Sequence, residues 1–327
     1  MTFYPCVLVN VVSWIFPEFK FQWLVDETKR NLPLELDFVC EGNNAERVAR
    51  MLKQFSFLKV PKIVWDLTTE RVLTMEFCDG GQVNDKDYIK KHDICITEVT
   101  KNLSKMYSEM IFVQGYVHSD PHPGNVLVKK TPQGTQIVLL DHGLYATLTS
   151  YFRVNYSKLW LSLIASDVEK IQKYATRLGV GDLYQLLSCM ITARSWKSIS
   201  SGISKQVTAE ENAEIQQMAA LYLPQITDVL SRVSREMLLI LKANDLLRGI
   251  EYSHGIQAST GYFLTMARHC VRAVYEWRHH QCGSRWCRVR VACAKHWTLL
   301  RIDIYELLLR WSDSALIVWL TSRFAVA

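Results

Sequence analysis

One stretch constrains the fold more than any other, His118 to Gly143, which reads HSDPHPGNVLVKKTPQGTQIVLLDHG. Asp120 is followed by Asn125 and then by Asp141. Two short apolar runs, Val126-Leu127-Val128 and Ile137-Val138-Leu139-Leu140, lie between Asn125 and Asp141. The intervening Lys129-Lys130-Thr131-Pro132-Gln133-Gly134 carries the Pro and Gly of a turn, so the runs are predicted to form a hairpin. Asn125 then enters the first strand and Asp141 leaves the second, which puts both polar groups at the same open end. Singly, Asp, Asn, Pro and Gly are ordinary turn formers. Spaced in this way about a hairpin, they ask for a joint chemical role.

Phosphoryl transfer needs that geometry. One carboxylate orients or deprotonates the attacking hydroxyl, and an amide oxygen and a second carboxylate hold Mg2+ against the phosphates. The protein-kinase pattern H-R-D-x-x-x-x-N followed by D-F-G stands here as His118-Ser119-Asp120-Pro121-His122-Pro123-Gly124-Asn125, then Asp141-His142-Gly143. A competing reading gathers His118, Asp120, His122, Asp141 and His142 around a Zn2+ or Fe2+ ion of a hydrolase, since imidazole and carboxylate are good ligands for both. It leaves Asn125 and the hairpin without a purpose.

PHPGNVLV followed by LLDHGLY resembles the UbiB, or aarF-domain-containing, family of atypical kinases. DHG in place of DFG is similar to its mitochondrial aarF-domain kinase subgroup. The resemblance runs from about Phe16 to the last helical segment. It is strongest between Glu35 and Arg194, through LPLELDF, KVPKIVWDL and ERVLTMEFCDGGQVND. It implies an α+β protein-kinase-like fold with ATP and Mg2+ as cofactors. It also implies a mitochondrial setting in lipid or quinone biology, often at the inner membrane.

Ala45, Val48, Ala49 and Leu52 repeat at helical spacing and put Glu41 in the first turn of an amphipathic helix. In a kinase that helix supplies the Glu that pairs with a strand lysine on the phosphates. The resemblance makes Glu41 that residue, and assigns Glu35 and Asp37 to the family's E-x-D inhibitory or nucleotide-selecting element. Pro61–Asp66 and Arg71–Phe77 flank Thr68-Thr69-Glu70 and are predicted to be a strand pair, broken by Cys78-Asp79-Gly80-Gly81. In a kinase-like fold this is the hinge, with Met75 beside the adenine and the backbones of Glu76 and Cys78 facing its edge. Apolar residues from Ile96 to Ile111 form the helix that delivers the chain to Asp120.

A glycine-rich loop and a V-A-I-K-like lysine strand have no counterpart before Glu41, nor do the family's K-x-G-Q motif and alanine-rich nucleotide loop. Lys20, in Phe19-Lys20-Phe21, sits in a Pro-Glu-Phe context that does not suit it. The chain therefore looks like an N-terminally shortened family member with an incomplete N-lobe. MTFYPCVLVNVVSWIF at the start lacks the basic residues of a secretory or mitochondrial leader and is expected to be a buried helix or strand.

Beyond Asp141 the pattern is helical. Phe152 to Ile171 form one stripe closed by Gly179-Val180-Gly181-Asp182, followed by helices over Leu183–Arg194, Glu214–Leu221 and Val229–Leu247. Three units are expected: 1–80, a partial N-lobe; 81–250, a helical C-lobe with the catalytic and metal loops; and 251–327, a basic helical extension.

The extension is where the formal charge of +6 resides. Between Arg268 and Arg301 there are eight Arg or Lys against one acid, Glu276. One reading is a solvated helical face with Trp277, Trp286 and Trp297 anchored in the core. Another is a surface that rests on anionic membrane lipid through residues 268–301. Nucleic acid is not expected, because no recognition motif accompanies the charge. The nine cysteines are odd in number and scattered, which fits a reducing compartment. Cys282, Cys287 and Cys293, with His296, are too irregularly spaced for zinc and are expected to be free thiols.

The sequence thus points to an atypical kinase or ATPase. Asp120 is the catalytic carboxylate and His118 its brace. Asn125 and Asp141 are the Mg2+ ligands. The nucleotide falls to Met75, Glu76, Cys78, Glu41, Glu35 and Asp37. The alternative is an inactive pseudokinase serving as a membrane-associated scaffold.

Overall fold

The computed structural model describes residues 29, 32–120, 122–201, 211, 215, 222–255 and 260–312. The expectations for the first sixteen residues, Lys20, Glu214–Leu221 and the terminal apolar run fall wholly or largely outside them.

Helix α1 (Phe38–Met51) begins where Asp37, in extended backbone, accepts from Val39 N–H and Cys40 N–H. An aspartate is suited to this position because it satisfies donors that have no partner within the helix and complements the helix dipole. Ala45, Val48 and Leu52 are buried as predicted, whereas Ala49 faces outward.

The strand pair after α1 is less regular than expected. Ile63 bridges Met75 and Thr69 bridges Val72, but a 3-10 turn at Trp65–Leu67 interrupts the ribbon. Thr68 explains the interruption: its hydroxyl donates to Val64 C=O and accepts from Thr74 N–H, competing with the ladder.

The central hairpin forms as predicted. Strand β4 (Val126–Thr131) pairs antiparallel with β5 (Gly134–Leu139), with Val126 opposite Leu139 and Thr131 opposite Gly134. Strands β1 (Leu58–Lys59) and β2 (Gly81–Gln82) complete a four-stranded sheet in the order β1-β5-β4-β2. A second, two-stranded sheet joins β3 (Tyr116–His118) to β6 (Tyr145–Thr147), with His118 opposite Tyr145.

Helix α2 (Lys86–Lys91) is short, and α3 (Ile96–Ser108) carries the predicted apolar face. It runs on as a π-helical turn, Glu109–Gln114, which ends at Gly115 with φ +67°. That left-handed angle, and Arg153 packed where a side chain would go, make glycine the suitable residue at 115.

Two predicted helices are each split. The Phe152–Ile171 stripe divides into α4 (Ser150–Ile164) and α5 (Val168–Arg177), because Ser166 adopts φ +53° and Asp167 caps the second helix. Helices α6 (Tyr184–Thr192) and α7 (Trp196–Ser201) follow. Val229–Leu247 divides into α8 (Leu223–Arg232) and α9 (Arg235–Ser253), where Ser234 caps α9. Apolar periodicity continued across both breaks and hid them.

Helix α10 (Thr260–His280) is central rather than peripheral. Met266, Cys270 and Val271 are fully buried, and the helix packs on α3 and α4. Phe112, Tyr156, Trp160 and Phe263 form an aromatic column between these helices, with ring centroids 5.5–6.3 Å apart. Helix α11 (Arg285–Ser312) returns antiparallel along α10, tied by Arg268 to Asp303 and by Lys295 to Glu276.

Two expectations for this region are corrected. Trp277, Trp286 and Trp297 are not core anchors; Trp286 is 79% exposed. Cys282 and Cys287 are joined in a disulfide, because the turn between α10 and α11 brings their Cα atoms to 5.6 Å, while Cys293 is free.

Glu251 on α9 is buried, which pushes its carboxyl up to about 7 against the partial relief of Arg248. The folded state therefore holds a proton that the unfolded chain has already lost. Its stabilising contribution is complete below about pH 4.5 and is lost as pH rises through about 7. Glu251→Gln should abolish this loss. Urea midpoints of the variant and wild type are expected to diverge between those pH values, favouring the variant by roughly 1–3 kcal/mol above pH 7.5.

Candidate functional site

The open end of the β4–β5 hairpin brings Asn125 and Asp141 together. Asn125 Nδ2 donates to Asp141 Oδ2 at 2.8 Å, and Asn125 C=O accepts from Leu140 N–H at 3.0 Å. Asp141 Oδ1 accepts from Gly143 N–H at 2.8 Å, so the carboxylate is held at both oxygens. Pro123–Asn125 form a 3-10 turn whose start is capped by His122, with Nδ1 accepting from Gly124 N–H.

His118 lies at the end of β3 and is buried. Its Nδ1 accepts from Asp120 N–H at 3.2 Å, which fixes the proton on Nε2, and Nε2 donates to Asp141 C=O at 2.9 Å. Burial holds this imidazole below its usual range, so it is a neutral strut between the Asp120 loop and the Asp141 loop. Asp120 itself is exposed at the mouth.

His142, where the kinase pattern has Phe, is also buried, and its pKa is lowered to about 4, chiefly by desolvation. Nε2 donates to Leu139 C=O at 3.1 Å, leaving Nδ1 to accept from Tyr145 Oη at 2.9 Å. A buried polar ring is tolerable because both nitrogens are satisfied.

Glu41 reaches this loop from α1. Its carboxylate accepts from His142 N–H at 3.2 Å. Burial raises its pKa, the His142 bond opposes that, and the nearby Asp141 charge adds to it. Two carboxylates in a half-buried site, with an amide oxygen beside them, form a hard-oxygen donor set that suits Mg2+. The residues present therefore fit the ion, with Asn125 and Asp141 nearest to each other.

The hydrolase reading does not survive this geometry. Both nitrogens of the His118 and His142 rings are committed to protein partners, and His122 uses Nδ1 to cap its turn. Among the described residues no three His, Cys, Asp or Glu side chains converge to hold a metal.

Met75, Glu76 and Cys78 line one cleft of about 410 Å3, floored by Leu127 and Leu140. Leu140 directly precedes Asp141 in the chain, and the cleft lining itself includes neither Asp141 nor Asn125. The Glu76 side chain turns away to Lys59 Nζ at 2.7 Å, which, with Lys62 N–H, holds its carboxyl below the usual range. Glu35 is exposed and Asp37 is occupied in capping α1; neither is brought into the cleft lining.

The sequence reading missed Asn44, Tyr116 and Tyr145. Asn44 Nδ2 donates to His142 C=O at 2.9 Å, and its Oδ1 accepts from Tyr116 Oη at 2.6 Å. Arg47 lies 3.7 Å over the Tyr116 ring, and Tyr145 stacks on Tyr116 with centroids 4.7 Å apart. One signal was available: Asn44 falls three residues after Glu41 on the same helix face.

A family model described as the ABC1 atypical kinase-like domain matches residues 5–175. The chain is 55% identical over 316 residues to AarF domain-containing protein kinase 1 of Gallus gallus, covering 96% of this chain and 61% of that protein. It is 48% identical over 310 residues to AarF domain-containing kinase 1 of Drosophila melanogaster, covering 92% and 59%. The chain thus spans about three-fifths of the length of these relatives. Rv3197 of Mycobacterium tuberculosis, solved with erythromycin, superposes with a TM-score of 0.50 at 15% identity, covering 81% of this chain and 65% of that one. The likeness is one of fold.

Asn44→Ala should leave His142 C=O and Tyr116 Oη short of a partner. It is expected to cost about 1–3 kcal/mol in chemical denaturation. Asn43→Ala, one position away and exposed, is expected to stay within about 0.5 kcal/mol.

Proposed function

Because the chain belongs to the ABC1 atypical kinase-like family, we propose that its site binds a magnesium nucleotide for phosphoryl transfer or hydrolysis. The observation that carries this reading is the Asn125–Asp141 pair at the open end of the hairpin. Asn125 and Asp141 would hold Mg2+, which would supply neutralisation of phosphate charge. Met75 and the backbone from Glu76 to Cys78, which line the cleft, would receive the base. Asp120, exposed at the mouth, orients the hydroxyl or water that attacks. His118 keeps the Asp120 and Asp141 loops at a fixed separation, and Glu41 with Asn44 steadies the DHG turn from α1.

The acceptor chemistry that accompanies the resemblance, mitochondrial lipid or quinone metabolism, forms part of the same proposal. Glu41 accepts from His142 N–H, which ties α1 to the DHG turn that carries Asp141.

A second reading, a membrane-associated scaffold, is favoured by α11. Trp286, Val289, Trp297, Leu300, Ile304 and Leu307 are exposed, and their spacing puts them on one helix face. Arg285, Arg288, Arg290 and Arg301 are exposed on the same helix. No described helix is long and apolar enough to cross a membrane, so contact would be made along the helix at the surface of an anionic bilayer.

The discriminating measurement is thermal stability with Mg-ATP and Mg-ADP, on wild type and Asp141→Asn. The enzyme reading expects a Tm rise of several degrees at saturating nucleotide that Asp141→Asn abolishes. An unchanged Tm in a folded wild-type sample would overturn it. The scaffold reading expects flotation with anionic vesicles that survives Asp141→Asn and fails when Arg285, Arg288, Arg290 and Arg301 are changed to Gln.

A further inference from the structure

On the far side of the helical lobe, α4, α5, α10 and α11 enclose a cleft of about 260 Å3. Lys158, Lys170 and Arg278 line it from three different helices. Asp167 is the one acid among the described lining residues, and Lys170 Nζ already engages it at 2.5 Å. Glu276, two positions before Arg278, is taken by Lys295 at 3.4 Å. Among the described residues, Lys158 and Arg278 therefore share the cleft with no carboxylate in salt-bridge contact.

Aromatic faces hold these cations where they are. Lys158 Nζ lies 4.7 Å from the Trp277 ring centroid and 5.9 Å from that of Tyr174, and the Arg278 guanidinium lies 5.2 Å from that of Tyr275. The Arg177 guanidinium also lies 5.6 Å from the Tyr174 ring centroid. Cation–π contact fixes a charge without neutralising it. Lys158 bears the consequence: burial, then the crowding of Arg278, Arg177 and Lys173, holds its ammonium below the usual lysine range. Like charges gathered in a half-buried cleft cost stability in the free protein, and a bound anion removes that cost.

We infer that this cleft binds the phosphate group of a small ligand, with Lys158 and Arg278 as its charge partners. A volume below the roughly 300–1,000 Å3 of sites that enclose drug-sized molecules suits a head group rather than a whole cofactor. A point-charge ammonium and a forked guanidinium are a usual pair for phosphate oxygens. The rings of Tyr174 and Tyr275 give the remaining wall an apolar surface for whatever carries the phosphate. The site is separate from the Asn125–Asp141 pair: none of its lining residues belongs to the hairpin or to the Met75–Cys78 cleft.

The test uses the full chain without nucleotide, in EDTA, at constant ionic strength. Inorganic pyrophosphate is titrated against Trp fluorescence and Tm, and flotation is measured with phosphatidylcholine vesicles with and without phosphatidic acid. Wild type is expected to respond to pyrophosphate, to the phosphatidic-acid vesicles, or to both. Lys158→Gln with Arg278→Gln should weaken the response at least tenfold. Lys158→Arg should preserve it, as should Lys242→Gln, an exposed position on α9 outside the cleft. Pyrophosphate binding without flotation identifies a soluble phosphate compound as the source. Flotation lost in the double variant but kept in Lys242→Gln identifies a lipid head group. If the double variant fails to fold by circular dichroism, Arg278→Gln alone against Lys158→Arg decides the matter. Silence of wild type to both probes, or an undiminished response in a folded Lys158/Arg278 variant, would overturn the inference.

Discussion

The 2.8 Å hydrogen bond from Asn125 Nδ2 to Asp141 Oδ2 is the contact on which the site depends. It closes the open end of a hairpin whose register is set by six residue pairs from Val126–Leu139 to Thr131–Gly134. A slip of one residue would turn every side chain of the hairpin to the opposite face. Val126, Val128, Ile137 and Leu139 would then leave the core. Core burial therefore holds the two polar groups in register.

Around that bond, three side chains from two elements, β3 and α1, each fasten the Asp141–His142 turn by a backbone atom. His118 from β3 takes Asp141 C=O, Asn44 from α1 takes His142 C=O, and Glu41 from α1 takes His142 N–H. The side chain of Asp141 is left to Asn125 across the hairpin and to Gly143 N–H. His142 belongs to the same scheme. A Phe at that position would fill the volume, but histidine also anchors Leu139 C=O and Tyr145 Oη, tying the end of β5 to β6. Burial keeps it neutral, so the extra bonds bring no second positive charge beside the carboxylates.

Much of this was legible because it is local. The hairpin, the placement of Asn125 and Asp141 at one end, α1 with Glu41 in its first turn, and α3 all follow from short-range periodicity and turn chemistry. What escaped was of two kinds. Breaks such as Ser166-Asp167 and Val233-Ser234 lie within unbroken apolar periodicity, and a single capping side chain is a weak signal against it. Partnerships across long separations, such as Asn44 with Tyr116, and the Cys282–Cys287 disulfide across the α10–α11 turn depend on how helices dock, which spacing does not report. Asp37, assigned by resemblance to nucleotide selection, is also the N-cap of α1, a local role its residue type suits.

The basic C-terminal helices are also coupled to the site. Glu109, in the π-turn that feeds β3, is buried, yet its carboxyl is held below the usual range: burial pushes it up, and bonds from His269 and Gln114 with the Arg272 charge outweigh that. Arg272 reaches it from α10 at 2.8 Å. A buried carboxylate stripped of its partner is costly, so α10 and the π-turn hold each other in place. His118 lies at the end of β3, four residues beyond that turn, and it separates Asp120 from Asp141. Charge in the tail therefore serves different ends by position. Arg268 and Arg272 fasten α11 and the π-turn to α10, Lys158 and Arg278 meet over a cleft, and the outer arginines of α11 face solvent. A uniform count of positive charge conceals this division, and the partners of each residue reveal it.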